Sequence, residues 1–353
     1  METAADKITP GDPFLPGKSF KKGVNFMKLT KLCSLLLALC LMLSLAACSG
    51  APAPTTAPAT EAPTTAPTTE ATTEATQPDT TVTVTDMVGR TITLDEPATR
   101  IVALTPSDCE ILYAIGAGDT LVGRGTYCDY PAEVLEVPAV QSGQDTNIEE
   151  ILALQPQVLL MSTMAQTEEQ VAQLEAAGVK VVVSDAKDIA GVYTAIELIG
   201  DLMGKQDNAQ AVIDQMKQSF ADLAAKAPAD SGKSIYFEIS PLEWGLWAAG
   251  KGTFMDEIAT MLGLTNCFAD VDGFAGISQE QVLERNPDYI LTVTMYFGEG
   301  PTPEEEILGR DGWQDVTAVK NAAILNLVNN ELSRPAPRLA EGAQLLYDFV
   351  YGE

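Results

Sequence analysis

The sequence contains one pattern twice, and this repeat restricts the folds that the chain can adopt. The first copy covers residues 147–160 and the second covers residues 278–291. Each copy predicts a short helix, a proline that ends it and then a buried strand, because helical spacing of apolar residues gives way to a short apolar run. Two such units far apart predict two related α/β lobes rather than a tandem solenoid.

The two predicted helices begin with matching capping signals. Asn147 and Ser278 are favourable N-cap residues, and a glutamate or glutamine follows three residues later, which is the spacing of a capping box. Glu149 and Glu280 occupy equivalent positions in the first turn. An acid there complements the helix dipole by about 0.3–1 kcal/mol, so this pair alone does not require a function.

Composition excludes several classes of function. The chain of 353 residues has room for two domains, but its net charge of −28 with only 21 basic residues argues against binding to nucleic acid. It contains no histidine, which excludes a Ser-His-Asp triad and any histidine-ligated metal. No nucleophile with a partner base is recognisable, so we expect no enzymatic activity.

The amino-terminal part of the chain predicts export. Residues 1–26 lack periodicity and are predicted to be an over-called extension, with Met27 as the initiator. Residues 27–47 have a basic start and an apolar run of about 15 residues, which is typical of a secretory signal. The sequence at residues 45–48 resembles a bacterial lipobox, in which Cys48 would carry the lipid. Residues 48–80 are rich in Thr, Pro and Ala and are predicted to be a disordered tether.

The body of the chain predicts an α/β fold. Residues 81–204 begin with a hairpin and then alternate strands with helices, which predicts a mainly parallel sheet covered by helices. Residues 205–227 predict a single long helix with apolar residues at helical spacing. Residues 228–353 predict a second lobe of the same kind. We therefore expect two lobes joined by one long backbone helix, with little hinge motion across it.

Five motifs in this body carry a resemblance to a known family. The chain resembles the substrate-binding lipoproteins of ABC importers for cobalamin, ferric siderophores or haem, over about residues 100–351. Its motifs favour the cobalamin-binding members. The motifs are residues 126–131 (Thr-Tyr-Cys-Asp-Tyr-Pro), 147–149, 250–254, 277–280 and 333–338.

The resemblance implies partners and a location. In this family one glutamate from each lobe docks on arginines of the membrane permease, and Glu149 and Glu280 match those positions. The expected partners are a permease dimer and its ATPase, with membrane contact only through the lipid on Cys48 at the extracellular face. We expect a monomer that carries no cofactor or metal of its own.

The resemblance also implies a ligand site between the lobes. The family places aromatic residues where this chain has Tyr127 and Phe274, and flat macrocycles bind well to aromatic faces. Each of these aromatics could instead be an ordinary core or surface residue, and Arg334 could form a salt bridge at a helix start instead of pairing with an anionic ligand group. The predicted ligand-binding residues are Tyr127, Trp244, Trp247, Phe274, Asn330 and Arg334.

The motifs favour a corrinoid as the transported ligand, with a ferric siderophore or haem as the alternative. Gly143 and Ser162 stand where cobalamin binders carry further tryptophans. A haem would need a tyrosine or methionine as its axial ligand, for which Tyr127 is the candidate.

Three cysteines, Cys109, Cys128 and Cys267, remain in the body of the chain after removal of the predicted signal peptide. Either Cys109 and Cys128 form a disulfide bridge, or all three are buried thiols.

Overall fold

The computed structural model describes residues 80–143, 145–163, 166–296 and 298–352. The predicted extension, signal peptide, Cys48 and nearly all of the tether lie outside the described residues. The described part begins with the predicted antiparallel hairpin of β1 (Val82–Thr85) and β2 (Thr91–Leu94). The buried Asp86 carboxylate accepts hydrogen bonds from the backbone N–H groups of Arg90 at 2.8 Å and Val183 at 3.2 Å, which fixes the hairpin to the first sheet.

The first sheet has five parallel strands in the order β5-β4-β3-β6-β7. The middle strand of this order and the strand that follows it in this order are buried along their whole length, as expected for a parallel sheet with helices on both faces. The strands are β3 (Ile101–Ala103), β4 (Leu121–Gly125), β5 (Ala139–Val140), β6 (Val158–Met161) and β7 (Lys180–Val183), and the helices are α1 (Pro106–Ala114), α2 (Ile148–Ala153), α3 (Glu168–Ala176) and α4 (Ile189–Leu202).

A single long helix, α5 (Gln206–Lys226), follows this sheet. Its 21 residues correspond to a length of roughly 30 Å. One face is buried, at helical spacing, against α4 and against the last helix of the chain. We call the described residues before α5 the N-terminal lobe and those after it the C-terminal lobe. The buried positions of α5 are Ala209, Ile213, Met216, Phe220 and Leu223.

The second sheet has the order β11-β9-β8-β12-β13, with β10 paired to the start of β8. Strands β8, β10, β12 and β13 are parallel, whereas β9 pairs antiparallel with both of its neighbours, β8 and β11. The strands are β8 (Lys233–Ser240), β9 (Trp247–Ala249), β10 (Leu264–Asn266), β11 (Phe274–Gly276), β12 (Tyr289–Thr292) and β13 (Ile324–Asn326), and the helices are α6 (Phe254–Met261), α7 (Gln279–Arg285), α8 (Pro303–Leu308), α9 (Thr317–Lys320) and α10 (Leu339–Tyr351).

The sequence repeat forms the same unit in both lobes. Helix α2 leads into β6 and α7 leads into β12, and each of these strands is fourth in the order of its sheet. The side chains of Asn147 and Ser278 cap the two helices, although only Ser278 forms a complete capping box. Both helices end before their prolines, at a residue in the left-handed region: Gln155 has φ 50° and Asn286 has φ 45°.

One hydrophobic core contains residues from both lobes. It joins Ile111 and Ile196 of the N-terminal lobe through Phe220 of α5 to Ile258 and Leu346 of the C-terminal lobe. Close-packed interiors resist deformation, so this shared core favours the small hinge motion expected from the sequence. None of the helices in the described ranges is both long enough and apolar enough to cross a membrane.

Candidate functional site

The carboxyl ends of the parallel strands form one edge of each sheet. In open α/β sheets this edge is where ligands bind. Tyr127 follows β4 at this edge of the N-terminal lobe, and Trp247 pairs with Ser240 at the end of β8 in the C-terminal lobe. The backbone carbonyl of Tyr127 accepts a hydrogen bond from the Arg334 Nη2 group at 3.3 Å, so the loop after β4 contacts the other lobe.

The four predicted aromatic residues are all exposed, and Phe274 lies two residues before the end of β11. The exposed fraction is 64% for Tyr127, 69% for Trp244, 45% for Trp247 and 37% for Phe274. Phe274 packs against the buried ring of Phe254 with a centroid distance of 5.9 Å, so its ring is supported from one side. Exposed apolar rings close to a strand edge are typical of a binding surface.

Three more exposed apolar residues lie at the same edge and were missing from the prediction. Met295 and Tyr296 follow β12, and Val328 follows β13, with exposed fractions of 43%, 42% and 63%. The signal that could have found them was their place directly after a buried parallel strand.

Arg334 and Asn330 have a different environment from the aromatic residues. Arg334 is only 8% exposed, and its Nη1 group forms ion pairs with Glu110 at 3.1 Å and Asp129 at 2.5 Å. Asn330 has a left-handed backbone with φ 65°, and its Oδ1 atom accepts a hydrogen bond from Ser333 at 3.1 Å. Their ligand-binding roles stay predictions, because these polar groups contact protein.

A second arginine strengthens the contact between the lobes. Arg338 donates to both carboxylate oxygens of Glu110 at 2.9 and 2.7 Å, and its guanidinium lies 3.7 Å from the ring centroid of Tyr130. Glu110 belongs to α1, whereas Arg334 and Arg338 come from the segment before and at the start of α10. Buried paired arginines of this kind fix relative orientation, because bidentate hydrogen bonds are directional.

Glu149 and Glu280 are exposed second residues of α2 and α7. A helix between two parallel strands runs back across the sheet, so the amino end of α2 lies at the edge formed by the strand carboxyl ends. Strand β11 ends at Gly276, which pairs with Trp247, so α7 also begins at this edge. The pKa of Glu280 is lowered, first by a backbone hydrogen bond and then by Ser278, so it is charged at neutral pH.

Asp108 lies buried at the start of α1, beneath the edge of the N-terminal sheet. Burial raises the pKa of this carboxyl from 3.8 to about 6, although the Thr105 and Ser184 hydroxyls oppose the rise. The Oδ2 atom accepts a hydrogen bond from Thr105, while Oδ1 has no partner at hydrogen-bond distance. The charged form of Asp108 is therefore unfavourable in the folded chain.

Replacing Asp108 with Asn is expected to stabilise the protein at pH 7.5 but not at pH 4. An acid with a raised folded-state pKa contributes stability below its unfolded pKa and loses it as pH rises through the folded value. The difference between 3.8 and about 6 corresponds to about 3 kcal/mol, of which the weakened Thr105 contact removes a part. Urea unfolding at both pH values would measure the effect, with the exposed Asp119→Asn as control. A stability difference from the wild type that does not change with pH would contradict this assignment.

The remaining candidates for chemistry are few in the part of the chain that the structure describes. Within residues 80–352, apart from the undescribed positions, no group of three or more Cys, Asp or Glu residues could hold a metal ion. Cys109, Cys128 and Cys267 are present as thiols in this structure.

A groove of about 420 Å³ lies where the lobes meet, between Tyr113, Tyr130 and Arg338. The predicted ligand-binding aromatics do not line it.

The chain is similar to several known proteins. An uncharacterized ABC transporter substrate-binding lipoprotein of Bacillus subtilis, YvrC, is 33% identical over 276 residues, which cover 76% of this chain and 85% of the relative. A vitamin B12-binding protein of Vibrio cholerae is 28% identical and covers 72% and 90%. A solved structure from Staphylococcus epidermidis, described as a possible iron-binding periplasmic solute-binding protein, is 31% identical with a TM-score of 0.61 and covers 72% and 100%.

The family comparison includes both sheets and the helix between them. The model of the periplasmic binding protein family matches residues 101–330, from the first parallel strand to the segment after the last one. The resemblance inferred from five motifs and the predicted fold class are thereby confirmed. This chain belongs to the periplasmic binding protein family.

Proposed function

We propose that this chain is the substrate-binding lipoprotein of an ABC importer and captures a corrinoid between its lobes. The observation that carries this proposal is the set of exposed aromatic rings at or near the strand ends. Tyr127 comes from the N-terminal lobe, and Trp244, Trp247 and Phe274 come from the C-terminal lobe. A flat, largely apolar macrocycle between the lobes would have these rings against both of its faces. The burial of aromatic surface would then provide most of the affinity.

The alternative ligand is a ferric siderophore or a haem. Gly143 and Ser162 follow β5 and β6 at the same edge, and neither can supply the ring that the cobalamin binders are expected to have there. Tyr127 is the candidate axial ligand for a haem, since its side chain is 64% exposed. The relative described as a vitamin B12-binding protein supports a corrinoid, and the relative described as possibly iron-binding supports an iron ligand.

The permease and its ATPase are the proposed partners. Glu149 and Glu280 support this role, because they are exposed, equivalent in the repeat and located at the edge where the ligand would bind. A permease built from two related subunits would meet one glutamate from each lobe. The protein would act as a monomeric carrier at the extracellular face of the membrane, anchored by the lipid on Cys48, and it would catalyse no reaction.

A titration with cyanocobalamin and cobinamide tests the ligand. Trp244 and Trp247 are exposed at the proposed site, so a bound corrinoid should quench a large part of the tryptophan fluorescence. We expect saturable binding of one corrinoid with a Kd below about 1 μM, which corresponds to roughly −8 kcal/mol. Trp313 is fully buried and provides the fluorescence that should remain.

Two variants make the titration specific for the site. Trp247→Ala should weaken binding by roughly 5- to 30-fold, since a contact of a large ring with a ligand is worth about 1–2 kcal/mol. Leu135→Ala changes an apolar residue of the N-terminal lobe that is 56% exposed and outside the proposed site, and it should leave the affinity unchanged. If corrinoids do not bind but a haem or ferric siderophore does, the alternative ligand is correct.

A further inference from the structure

The three cysteines of the described ranges fall into a pair and a single residue. Cys109 and Cys128 are both completely buried in the N-terminal lobe. Cys267 is half-buried in the C-terminal lobe, where burial raises the pKa of its thiol to about 11. The pair comes from α1 and from the loop after β4, which are distant in sequence and are brought together by the fold.

The two thiols of the pair share one acceptor. The Sγ atoms of Cys109 and Cys128 each lie 3.9 Å from the carbonyl oxygen of Ala103. They also interact with each other, because a hydrogen bond to Cys128 is the largest cause of the raised pKa of Cys109. The two sulfurs are thus neighbours around one oxygen, and a disulfide requires its two side chains to be neighbours in this way.

A glycine in β4 allows this strand to lie close to the residues that follow β3. A Cβ atom at Gly125, the last residue of β4, would lie 2.3 Å from the carbonyl oxygen of Leu104. The backbone of β4 can therefore run directly beside the residues that follow β3 only because Gly125 has no side chain. Cys128 comes three residues later, where its N–H group donates to the Gly125 carbonyl at 3.1 Å.

Each cysteine of the pair precedes an acid that holds Arg334. Glu110 follows Cys109 and Asp129 follows Cys128, and both carboxylates form ion pairs with the Arg334 guanidinium. Tyr127, directly before Cys128, is the exposed aromatic residue of this lobe that was predicted to bind the ligand. A bond between the cysteines would therefore connect the two acids of the contact between the lobes and the aromatic ring beside it.

We propose that Cys109 and Cys128 form a disulfide in the exported protein, which fixes Tyr127 and Asp129 relative to Glu110. This inference depends on the extracellular location in the proposed function. Both thiols are oxidised by exchange with a small disulfide such as cystine or oxidised glutathione. The sulfur–sulfur bond of that molecule breaks, a bond forms between the two Sγ atoms, and two small thiols carry away the two protons.

Burial determines when this exchange can occur. The attacking species is a thiolate, and the buried thiols of the folded lobe are neither accessible nor readily ionised. The bond therefore forms while α1 and the loop after β4 are still exposed during folding. Once the lobe has closed, the same burial protects the disulfide from reductants.

Refolding of the purified full chain in detergent tests the pairing. The reduced, unfolded chain is refolded in a mixture of reduced and oxidised glutathione, quenched with acid, unfolded, alkylated with iodoacetamide and digested for mass spectrometry. We expect the Cys109 and Cys128 peptides to be linked and two hydrogens lighter, whereas Cys267 carries the alkyl group and serves as the internal control. A folded chain in which Cys109 and Cys128 are both alkylated overturns the proposal, as does a bond to Cys267.

The same alkylation on cells that make the full chain separates this proposal from the proposed function. If the chain is accessible to protease at the cell surface and Cys109 and Cys128 are alkylated, the disulfide proposal is wrong and the location is correct. If the chain is not accessible at the surface, the proposed location is wrong, and the refolded chain decides the pairing.

Thermal unfolding provides a second measurement with matched variants. Dithiothreitol present during refolding should lower the Tm of Cys267→Ser by roughly 5 °C, because the unfolded chain is no longer restrained by the bond. A variant with both Cys109→Ser and Cys128→Ser should show no change in Tm with the reductant. An equal response of the two variants to the reductant contradicts the disulfide.

Discussion

Replacing both Glu149 and Glu280 with alanine is expected to reduce uptake of the ligand by roughly a hundredfold and to leave ligand affinity unchanged. Each carboxylate would lose a hydrogen-bonded pair with a permease arginine, which is worth about 1.5–3 kcal/mol. Both residues are exposed, so their removal leaves no buried partner in this protein. Uptake of labelled ligand by cells and titration of the purified variant measure the two quantities separately.

Two neighbouring glutamates provide the control for this experiment. Glu150 and Glu284 are exposed residues of the same two helices, α2 and α7. A variant with Glu150→Ala and Glu284→Ala has the same change in net charge as the variant with Glu149→Ala and Glu280→Ala. We expect its uptake of the ligand to stay close to that of the wild type. Equal uptake by the two double variants would show that the matched glutamates have no part in docking, and helix-dipole stabilisation would then explain them.

Replacing Arg310 with Met is expected to destabilise the protein by about 3–5 kcal/mol, because it leaves the Glu238 carboxylate buried without its partner. The Nη1 and Nη2 groups of Arg310 bind the two Glu238 oxygens at 2.7 and 2.9 Å, and both side chains are 1% exposed. Burial raises the pKa of Glu238, which Arg310 opposes. Arg310 also pairs with Glu306 of α8 at 2.5 Å, so it attaches this helix to β8.

Urea unfolding of two further variants distinguishes this loss from a general effect of removing a cation. Lys320→Met breaks an exposed ion pair with Asp315, whose members are 55% and 88% exposed, and it should cost less than about 1 kcal/mol. Combining Arg310→Met with Glu238→Leu removes both buried charges and should recover much of the stability. If Arg310→Met alone costs less than about 1 kcal/mol, Glu238 is not an unpaired buried charge in that variant.

The fold could be predicted to a large extent because local patterns determine its elements. The repeat at residues 147–160 and 278–291 predicted one helix and one strand in each lobe, and the structure has α2 with β6 and α7 with β12 at those positions. The apolar spacing of residues 205–227 predicted the long helix that is α5. Capping, proline position and apolar periodicity act over a few residues, so they can be read from a single sequence.

The environment of a candidate site residue could be predicted only where it does not depend on distant partners. Tyr127, Trp244, Trp247 and Phe274 have the exposure that a binding role requires, whereas Arg334 is enclosed by acids of the other lobe. Those partners, Glu110 and Asp129, lie more than 200 positions away in sequence. No local pattern shows which distant carboxylate an arginine will meet, because that depends on how the two lobes pack.

The sequence by itself determined the two-lobed α/β architecture, the glutamates in equivalent first turns and the absence of histidine chemistry. The tertiary structure alone decided the raised pKa of Asp108, the buried Glu238–Arg310 pair, the ion pairs between the lobes and the proximity of Cys109 to Cys128. The physical reason is the separation along the chain of the residues that interact. Secondary structure follows from neighbours along the chain, whereas burial and charge pairing depend on the segments that packing brings together.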